Sequence, residues 1–335
     1  MSIERVDPTN DEAFLEWFGV LQRSELHRNG GEGSGWQPDE WRARAIDADA
    51  PSVIHLFAKR HEGRVVAVAG ATVTRDDNLH SLRADLFVEP TERRKGFGTE
   101  LLQFVEQYSR DLGRNEVTFW VIEGPGEIGT STCRYFAPAQ GYALVDEMAR
   151  RDIAWPPSFD VLEDQAATWA PYATEYEFHS WYRHAPDDLT AKLADLMSRM
   201  GVEANFAEVE VEQEVWDVDR VRHHEQMIFD MGRDLLVVAA THKQTGELAG
   251  YTELTVSRND PSTAYQWDTL VARAHRGHRL GGLMKIENLR QFAARNYATQ
   301  RIYTSNSIRN TPMIDVNVAL GAQIAGATAI WMKQL

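Results

Sequence analysis

The sequence predicts a mixed α/β (α+β) protein of two consecutive domains, each with a largely antiparallel sheet flanked by helices. First, 335 residues with 43% hydrophobic side chains are too many for one ordinary core and enough for two of roughly 150 residues each. Second, the order of helices and strands in the first half restarts in the second. Third, one offset of 183 positions joins five pairs of identical residues: Gly63 and Gly246, Asp85 and Asp268, Val88 and Val271, Arg93 and Arg276, Gly98 and Gly281. This repeat indicates a duplicated domain.

The first domain is predicted to span residues 1–156. Apolar residues at helical spacing predict helices, and β-rich runs bounded by glycine turns predict strands. In chain order these are helix 11–28, a glycine-rich loop at 29–35, helix 37–48, a hairpin of strands 52–60 and 64–74, strand 81–90, helix 99–113, strand 117–124, helix 130–140 and two further strands that end near Trp155. Pro156 and Pro157 then break the pattern.

The second domain is predicted to span residues 188–335, after a connector at 157–187. The same order of elements returns: helices 188–201 and 218–232, paired strands 235–243 and 247–256, strand 264–271, helix 281–296, strand 301–306, helix 312–320 and a last strand at 327–335. Glycines at 246 and 321 mark turns where the first half has glycines at 63 and 141.

Composition narrows the class of function. Fifty acidic against 35 basic side chains give a formal charge of −15, which disfavours a nucleic-acid partner because phosphate contacts need a basic face. No apolar run approaches the roughly 20 residues of a membrane helix, so we expect a cytoplasmic protein without a membrane partner. The single cysteine, Cys133, fits a reducing compartment and is expected to be a buried residue rather than a nucleophile.

No metal site is expected. His223, His224 and Glu225 stand together, but adjacent histidines on a helix point about 100° apart, and no third ligand lies at helical spacing. Most tryptophans, including Trp17, Trp36, Trp41 and Trp181, are expected to be core or domain-interface residues, and the lining of an aromatic substrate pocket is the alternative.

A basic glycine turn between a strand and a helix carries the chemistry. In the first half, a strand leads directly into Val88–Thr99 and then into an amphipathic helix. Glycines allow close backbone approach, and converging N–H groups at a helix N-terminus attract an anion. The nucleotide motifs GxxxxGK[ST] and GxGxxG are absent. The alternative is a solvated basic turn that opens a surface helix.

Val88 through Gly98 resembles motif A of the GNAT acetyltransferase superfamily, in which [R/Q]-x-x-G-x-[G/A] wraps the pyrophosphate of acetyl-CoA. The match here is Arg93-x-x-Gly96-x-Gly98. The Gly141-Tyr142 pair also fits the family pattern. The resemblance implies a fold of this family and a donor site built from Phe87, Val88, Arg93, Arg94, Lys95, Gly96, Phe97, Gly98 and Thr99.

The second half carries a variant of this motif. It reads Arg276-x-x-Arg279-x-Gly281, with arginine in place of the first glycine and Arg273 in place of the proline. By resemblance its donor residues are Val271, Arg276, Gly277, Arg279, Gly281, Gly282 and, for the pantetheine arm, Asn310. The intact motif favours the first half as the site of acyl-CoA.

The resemblance also implies the catalytic groups. The strand before motif A splays from its neighbour, and a backbone N–H near Phe87 or Val88, or near Leu270 or Val271, would hold the thioester oxygen. Asp85, Asp268 and Glu253 are the candidate bases. Each of these three is also explained as a hydrogen-bonded acid at a strand end.

The general acid is missing from its usual place. The tyrosine of the family aligns with Ala137 in the first half and Asn317 in the second. Tyr135 is the candidate substitute if the helix is locally shifted, and core packing is its alternative role. Three asparagines at roughly helical spacing form either one polar face or a solvent-facing row: Asn306, Asn310 and Asn317.

The sequence therefore predicts an N-acyltransferase, dependent on acyl-CoA and most simply on acetyl-CoA, that transfers directly to a small-molecule amine in a ternary complex. The acidic balance suits a cationic amine. Aminoacyl transfer from charged tRNA is an alternative reaction, which the acidic chain disfavours. A regulatory protein that binds acyl-CoA without catalysis is the alternative of another class.

Overall fold

The computed structural model describes residues 2–28, 36–47, 50–204 and 212–335, and the chain forms two compact units. Unit 1 contains the residues up to Met148 together with Gly326–Leu335, and unit 2 contains Ala149–Ala325. The predicted glycine-rich loop at 29–35 and the end of the predicted helix 37–48 lie outside the described residues.

Unit 1 is a mixed sheet with helices packed against it. Its elements are β1 (Ile3–Val6), α1 (Asp11–Arg28), α2 (Pro38–Ile46), β2 (Ser52–His61), β3 (Arg64–Thr74), β4 (Ser81–Val88), α3 (Phe97–Asp111), β5 (Glu116–Glu123), α4 (Cys133–Ala139) and β6 (Ala143–Ala154), which crosses the boundary between the units. The strand order is β1-β2-β3-β4-β5, followed by the last strand of the chain, β12 (Gln323–Gln334). The pair β4 and β5 is parallel, and the other pairs are antiparallel.

Unit 2 repeats this arrangement. Its elements are α5 (Phe159–Trp169), β7 (Tyr176–Tyr182), α6 (Asp187–Ser198), α7 (Met200–Glu203), α8 (Val218–Asp230), β8 (Arg233–His242), β9 (Leu248–Ser257), β10 (Thr263–Val271), α9 (Leu280–Ala293), β11 (Arg301–Ser307) and α10 (Thr311–Ala319). The strand order is β6-β11-β10-β9-β8-β7, with β10 and β11 parallel. The prediction of two α+β domains with largely antiparallel sheets is confirmed.

Local sequence explains the helices that flank the chemistry. The side chain of Asn10 accepts a hydrogen bond from the backbone of Ala13 and so caps α1. Helix α3 directs Leu101, Leu102 and Val105 into the core of unit 1, at the i, i+1, i+4 spacing of one apolar face.

The predicted domain boundaries are corrected by strand pairing. Residues 157–187, expected to be a connector, form α5 and β7 within unit 2, and β7 pairs along its whole length with β8. The last strand, expected in the second domain, pairs with β5 in unit 1. The two strands expected before Trp155 are one long strand, β6, and the short strand β1 was not predicted. Backbone hydrogen bonding between distant segments decides these assignments, and a local pattern does not show it.

Candidate active site

Unit 1 opens between its two parallel strands. The pairing of β4 with β5 runs from Ser81 with Glu116 to Ala84 with Phe119, whereas β4 continues to Val88. The last residues of β4 therefore extend past the end of the described pairing. The resemblance to motif A implied a strand that splays in this way.

One backbone N–H of β4 faces this opening. The N–H of Glu89 donates to the carbonyl of Val66 on β3 at 2.9 Å. Because hydrogen bonding alternates along an antiparallel strand, the N–H of Phe87 also faces β3 and that of Val88 faces the opening. Of the two predicted donors, Val88 is the one with the right direction.

Unit 2 has the same opening. The pairing of β10 with β11 ends at Tyr265 with Tyr303, while β10 continues to Val271. The N–H of Ala272 donates to the carbonyl of Ala249 at 2.9 Å, so the N–H of Val271 faces the opening rather than that of its neighbour Leu270.

The two basic turns share one backbone path. In unit 1, Arg94 and Gly96 have φ angles of +67° and +91°, and 183 positions later Gly277 and Arg279 have φ angles of +90° and +58°. The left-handed conformation thus occurs twice in each turn, with glycine and arginine exchanged between the two places. The replacement of the first motif glycine by Arg279 has not changed the turn.

The first arginine of each motif supports the turn. Arg93 donates from Nε to the carbonyl of Val88 at 3.4 Å and from a terminal nitrogen to Ser24 Oγ at 3.0 Å. Arg276 makes the matching Nε contact with the carbonyl of Val271 at 3.1 Å. These side chains hold the turn against the strand that precedes it.

The next residue, Arg94, has no ion pair with a described residue. Arg94, Lys95 and Gly96 are exposed, and a Cβ atom added at Gly96 would meet nothing within 4 Å. Lys95 forms an ion pair with Glu92 at 2.7 Å, and Thr99 is half-buried in the first turn of α3. The turn is therefore open to an anion from solvent.

Two predicted donor residues have packing roles. The side chain of Phe97 lies in the core of unit 1. A Cβ atom at Gly98 would approach the Val88 side chain to 3.4 Å, and Gly281 has Val271 at 3.8 Å in the same relation. The last glycine of the motif thus allows the helix to pack closely on the strand.

The second turn is covered where its helix begins. A Cβ atom at Gly282 would lie 2.2 Å from the ring of Trp169, which packs directly on this glycine. The guanidinium of Arg279 lies 5.7 Å from the ring centroid of Tyr172, and His278 Nδ1 contacts the carbonyl of Tyr172 at 3.1 Å. All of these contacts come from the end of α5 and the turn after it.

A carboxylate also contacts the basic segment that leads into the second turn. Glu203 accepts the backbone N–H of Arg273 at 2.9 Å and forms an ion pair with Arg276 at 3.2 Å. This negative charge opposes the approach of a phosphate. The two turns share a backbone path but differ in the groups that surround them.

Asp85 of unit 1 lies at the start of the opening, on the sheet face that carries α2. It is the first residue of β4 after the last described pair with β5, and its Cβ lies near Gly70, where Trp41 also packs. Arg83 lies two residues earlier on the same face, 4.0 Å from the Asp85 carboxylate and 5.5 Å from the ring centroid of Trp120 on β5. Asp85 Oδ2 and Arg83 Nε are buried without a hydrogen-bond partner among the described residues.

A second arginine faces this carboxylate from α2. The guanidinium of Arg44 lies 5.9 Å from the ring centroid of Trp36 and 5.8 Å from that of Trp41. Burial lowers the pKa of Arg44 to about 10, and the positive charge of Arg83 adds to this against the opposing effect of Asp85. Among the described residues, the equivalent aspartate of unit 2 has Glu253 and His224 nearby instead.

Asp268 of unit 2 lies in an acidic cluster instead. Partial desolvation and the nearby carboxylate of Glu253 raise the pKa of Asp268 to about 7. Asp268 itself remains exposed. Glu253 is buried on β9, and its carboxylate lies 3.5 Å from His224 Nε2. Burial lowers the pKa of His224, but the charge of Glu253 outweighs this effect and the pKa is raised overall. The buried hydroxyl of Tyr251 lies near Asp268 but outside hydrogen-bonding geometry.

A buried lysine lies beneath the opening of unit 2. Lys285 of α9 donates to Asn317 Oδ1 at 2.8 Å, and Asn317 donates to Asn306 on β11. Burial lowers the pKa of Lys285 to about 7. A cavity of about 10 Å³, enough for one water molecule, is lined by Ile153, Gln266, Lys285, Leu289, Ile302, Thr304, Asn317 and Leu320.

The remaining predicted residues are dispersed. Tyr135 is 75% exposed on α4, so core packing is not its role, and its hydroxyl has no hydrogen bond to a described residue. Asn310 caps α10 by accepting the N–H of Met313 at 3.3 Å. Asn306 lies on a strand rather than on the helix of Asn317, so the predicted helical row of asparagines is wrong.

Cysteine and histidine chemistry is limited in the described part of the chain. Cys133 is half-buried, and burial raises the pKa of its thiol. Among residues 2–28, 36–47, 50–204 and 212–335, no three His, Cys, Asp or Glu side chains are placed to hold a metal ion. Within the same ranges, no helix combines the length and apolarity needed to cross a bilayer.

Three residues near Asp85 were not predicted from the sequence: Arg44, Arg83 and Trp120. Arg83 stands at i−2 from Asp85, and alternation along β4 places both on one face, so this signal was available. The approach of Arg44 from α2 depends on tertiary packing.

Comparison with known proteins shows what this geometry is similar to. Residues 14–127 match the acetyltransferase (GNAT) family. The chain is similar to a tandem GNAT protein from the clavulanic acid biosynthesis pathway, with 24% identity, a TM-score of 0.78 and coverage of 99% of this chain and 98% of that one. The chain has the tandem GNAT fold. No curated protein sequence matches it.

Two further structures share this tandem GNAT fold. A GCN5-related N-acetyltransferase from Sphaerobacter thermophilus has 14% identity and a TM-score of 0.66, with coverage of 99% and 95% of the two chains. Saccharomyces cerevisiae N-myristoyltransferase has 10% identity and a TM-score of 0.59, with coverage of 99% and 78%. The family match runs from α1 to the end of β5 and thus includes the uncovered turn of unit 1.

Proposed function

We propose that the chain is an acyl-CoA-dependent N-acyltransferase, most simply an acetyltransferase, in which unit 1 binds the acyl donor and catalyses transfer to a small-molecule amine. One observation carries the proposal: in unit 1 an uncovered basic turn adjoins the opening into which the N–H of Val88 points. The GNAT family match to residues 14–127 supports acyl transfer from acyl-CoA as the class of reaction.

The donor would lie along the edge of β4. Its pyrophosphate would bind the backbone N–H groups of the turn and the exposed Arg94, and its thioester oxygen would accept a hydrogen bond from the N–H of Val88. A single donor of this kind typically contributes about 10²–10³ in kcat, because it stabilises charge that develops in the transition state.

Transfer is proposed to be direct. The uncharged amine attacks the carbonyl carbon, the C–S bond breaks, the amine proton passes to a base, and the thiolate of CoA leaves. Asp85 is the proposed base, since its Oδ2 is buried without a described partner at the start of the opening. Cys133 does not suit an acyl-enzyme intermediate, because burial raises the pKa of its thiol.

Unit 2 is proposed not to bind acyl-CoA. Trp169 and Tyr172 cover the start of its helix α9. The carboxylate of Glu203 accepts the N–H of Arg273 and pairs with Arg276 beside its turn. We further propose a cytoplasmic location, supported by a sequence with one cysteine.

Release of CoA from acetyl-CoA in a panel of amines, followed with a thiol reagent, tests the proposal. We expect Asp85→Asn to lower kcat by about 10²-fold or more, since loss of a general base typically costs about 10²–10⁴. Asp111→Asn makes the same change at the exposed end of α3 and should leave kcat unchanged. Loss of activity in Asp268→Asn, with Asp85→Asn active, would move the chemistry to unit 2 and refute the proposal.

A further inference from the structure

Two positive side chains lie close to Asp85 in unit 1. Two guanidinium groups, Arg44 and Arg83, share the surroundings of one carboxylate, Asp85. This local excess opposes the charge of −15 of the whole chain. The acidic composition therefore does not describe the charge at this opening.

The donors of these arginines are poorly satisfied. Arg83 Nε is buried without a partner among the described residues, and Arg83 makes a single ion-pair contact, at the long distance of 4.0 Å. Arg44 faces the rings of Trp36 and Trp41 and has no hydrogen bond to the described part of the chain. A guanidinium has five N–H donors in a planar fork that matches a carboxylate, and a buried donor without a partner costs free energy.

The acceptor atom at this face is also unsatisfied. Asp85 Oδ2 is buried without a hydrogen-bond partner, so the face presents free N–H donors beside a free carboxylate oxygen. A ligand that satisfies both carries an acid and an amine a few bonds apart. Beside them the indole of Trp120, 46% exposed on β5, offers an apolar surface.

We propose that the acceptor of unit 1 is an amino acid-like zwitterion whose carboxylate binds Arg44 and Arg83 and whose amine lies at Asp85. An apolar or aromatic body would pack on Trp120. The inference deepens the proposed function and relies on it for the reaction, but the binding of the zwitterion can be measured without any acyl donor. This acceptor differs from the cationic amine that net charge suggested by also carrying a carboxylate.

The second unit shows that this charge pattern is specific. Asp268, which is 183 positions from Asp85, is faced by Glu253 and His224, and Gln266 stands where unit 1 has Arg83. The duplicated aspartate thus has a basic environment in unit 1 and an acidic one in unit 2. Among the described residues around the two aspartates, the pair of arginines that would select a carboxylate lies in unit 1.

Matched pairs of ligands test the proposal by calorimetry on the full chain without acyl-CoA. Tryptophan is compared with tryptamine, and phenylalanine with phenethylamine, so that each pair differs only in the carboxylate. We expect the amino acid of at least one pair to bind about tenfold or more tightly than its amine, since a hydrogen bond to a charged group contributes about 1.5–3 kcal/mol and 1.4 kcal/mol is tenfold.

Three variants assign this preference to the arginines. Arg83→Gln and Arg44→Gln should each reduce the preference for the acid about tenfold. Arg110→Gln, the same change at an exposed position of α3, should leave it unchanged. Melting temperatures confirm that the variants are folded.

The outcomes separate this proposal from the proposed function. Equal or tighter binding of the amines, binding of no ligand, or a preference that survives both arginine variants would overturn the zwitterion proposal. Failure of the proposed function would instead appear as failure to bind acetyl-CoA, which this experiment does not use.

Discussion

Replacing the buried lysine of unit 2 by methionine should change stability in opposite directions at neutral and alkaline pH. Lys285 is 3% exposed, and its pKa falls from 10.5 to about 7. The difference of about 3.5 units corresponds to roughly 5 kcal/mol at about 1.36 kcal/mol per unit. Because the folded pKa is lowered, this free energy opposes folding near pH 7 and is recovered as pH rises towards 10.5.

Lys285→Met removes this cost and also removes the donor to Asn317. The lost hydrogen bond costs about 1–3 kcal/mol, so the variant should be more stable than the wild type by roughly 2–4 kcal/mol near pH 7. Near pH 9.5 only about 1 kcal/mol of the lysine penalty remains, and the variant should be equal to the wild type or less stable.

Urea unfolding at the two pH values measures this difference. The advantage of Lys285→Met should fall by about 3 kcal/mol between pH 7 and pH 9.5. Lys192→Met, at an exposed position on α6, is the control and should show no such change. A difference in unfolding free energy between Lys285→Met and wild type that is the same at both pH values would refute the reasoning.

Two further predictions concern packing and a buried ion pair. Gly282→Ala should lower the unfolding free energy by roughly 1–3 kcal/mol, and the melting temperature with it, because the new Cβ would lie 2.2 Å from the ring of Trp169 and overpack the site. An unchanged melting temperature would contradict this contact. Glu123 is fully buried. Burial raises its pKa, but hydrogen bonds from Arg134 and Ser131 have the larger effect, so the pKa is lowered overall. The stabilising effect of Glu123 should therefore be complete above about pH 4.5 and be lost as pH falls below that value. Glu123→Gln should therefore make the unfolding free energy less dependent on pH between about 2 and 5, and an unaltered acid dependence would contradict the prediction.

Local pattern was sufficient where a feature depends on neighbours in sequence. Helix α1 begins at the predicted residue, Asp11, because a cap and an apolar face lie within one segment. The basic turn was found in the same way, from glycines and arginines between a strand and a helix.

Features that depend on distant segments were not predictable. The choice of β5 as the partner of β12 is made between residues more than 190 positions apart. The cover of the second turn depends on where the end of α5 packs, and Trp169 has no local mark of that role. Net charge does not reveal the two arginines near Asp85, because it averages over the chain, whereas Arg44 and Arg83 act over a few ångströms.

The central claim is that acyl-CoA binds the turn of unit 1 and not that of unit 2. Calorimetric titration of acetyl-CoA into wild type, Gly96→Asp and Gly277→Asp tests it most directly. Gly96 and Gly277 have φ angles of +91° and +90°, and a Cβ atom at either would meet nothing within 4 Å, so the two changes add the same charge and the same backbone strain. We predict that Gly96→Asp abolishes binding, because its carboxylate repels the pyrophosphate, and that Gly277→Asp binds like the wild type. Loss of acetyl-CoA binding in Gly277→Asp but not in Gly96→Asp, or no binding to the wild type, would contradict the assignment of the acyl-CoA site to unit 1.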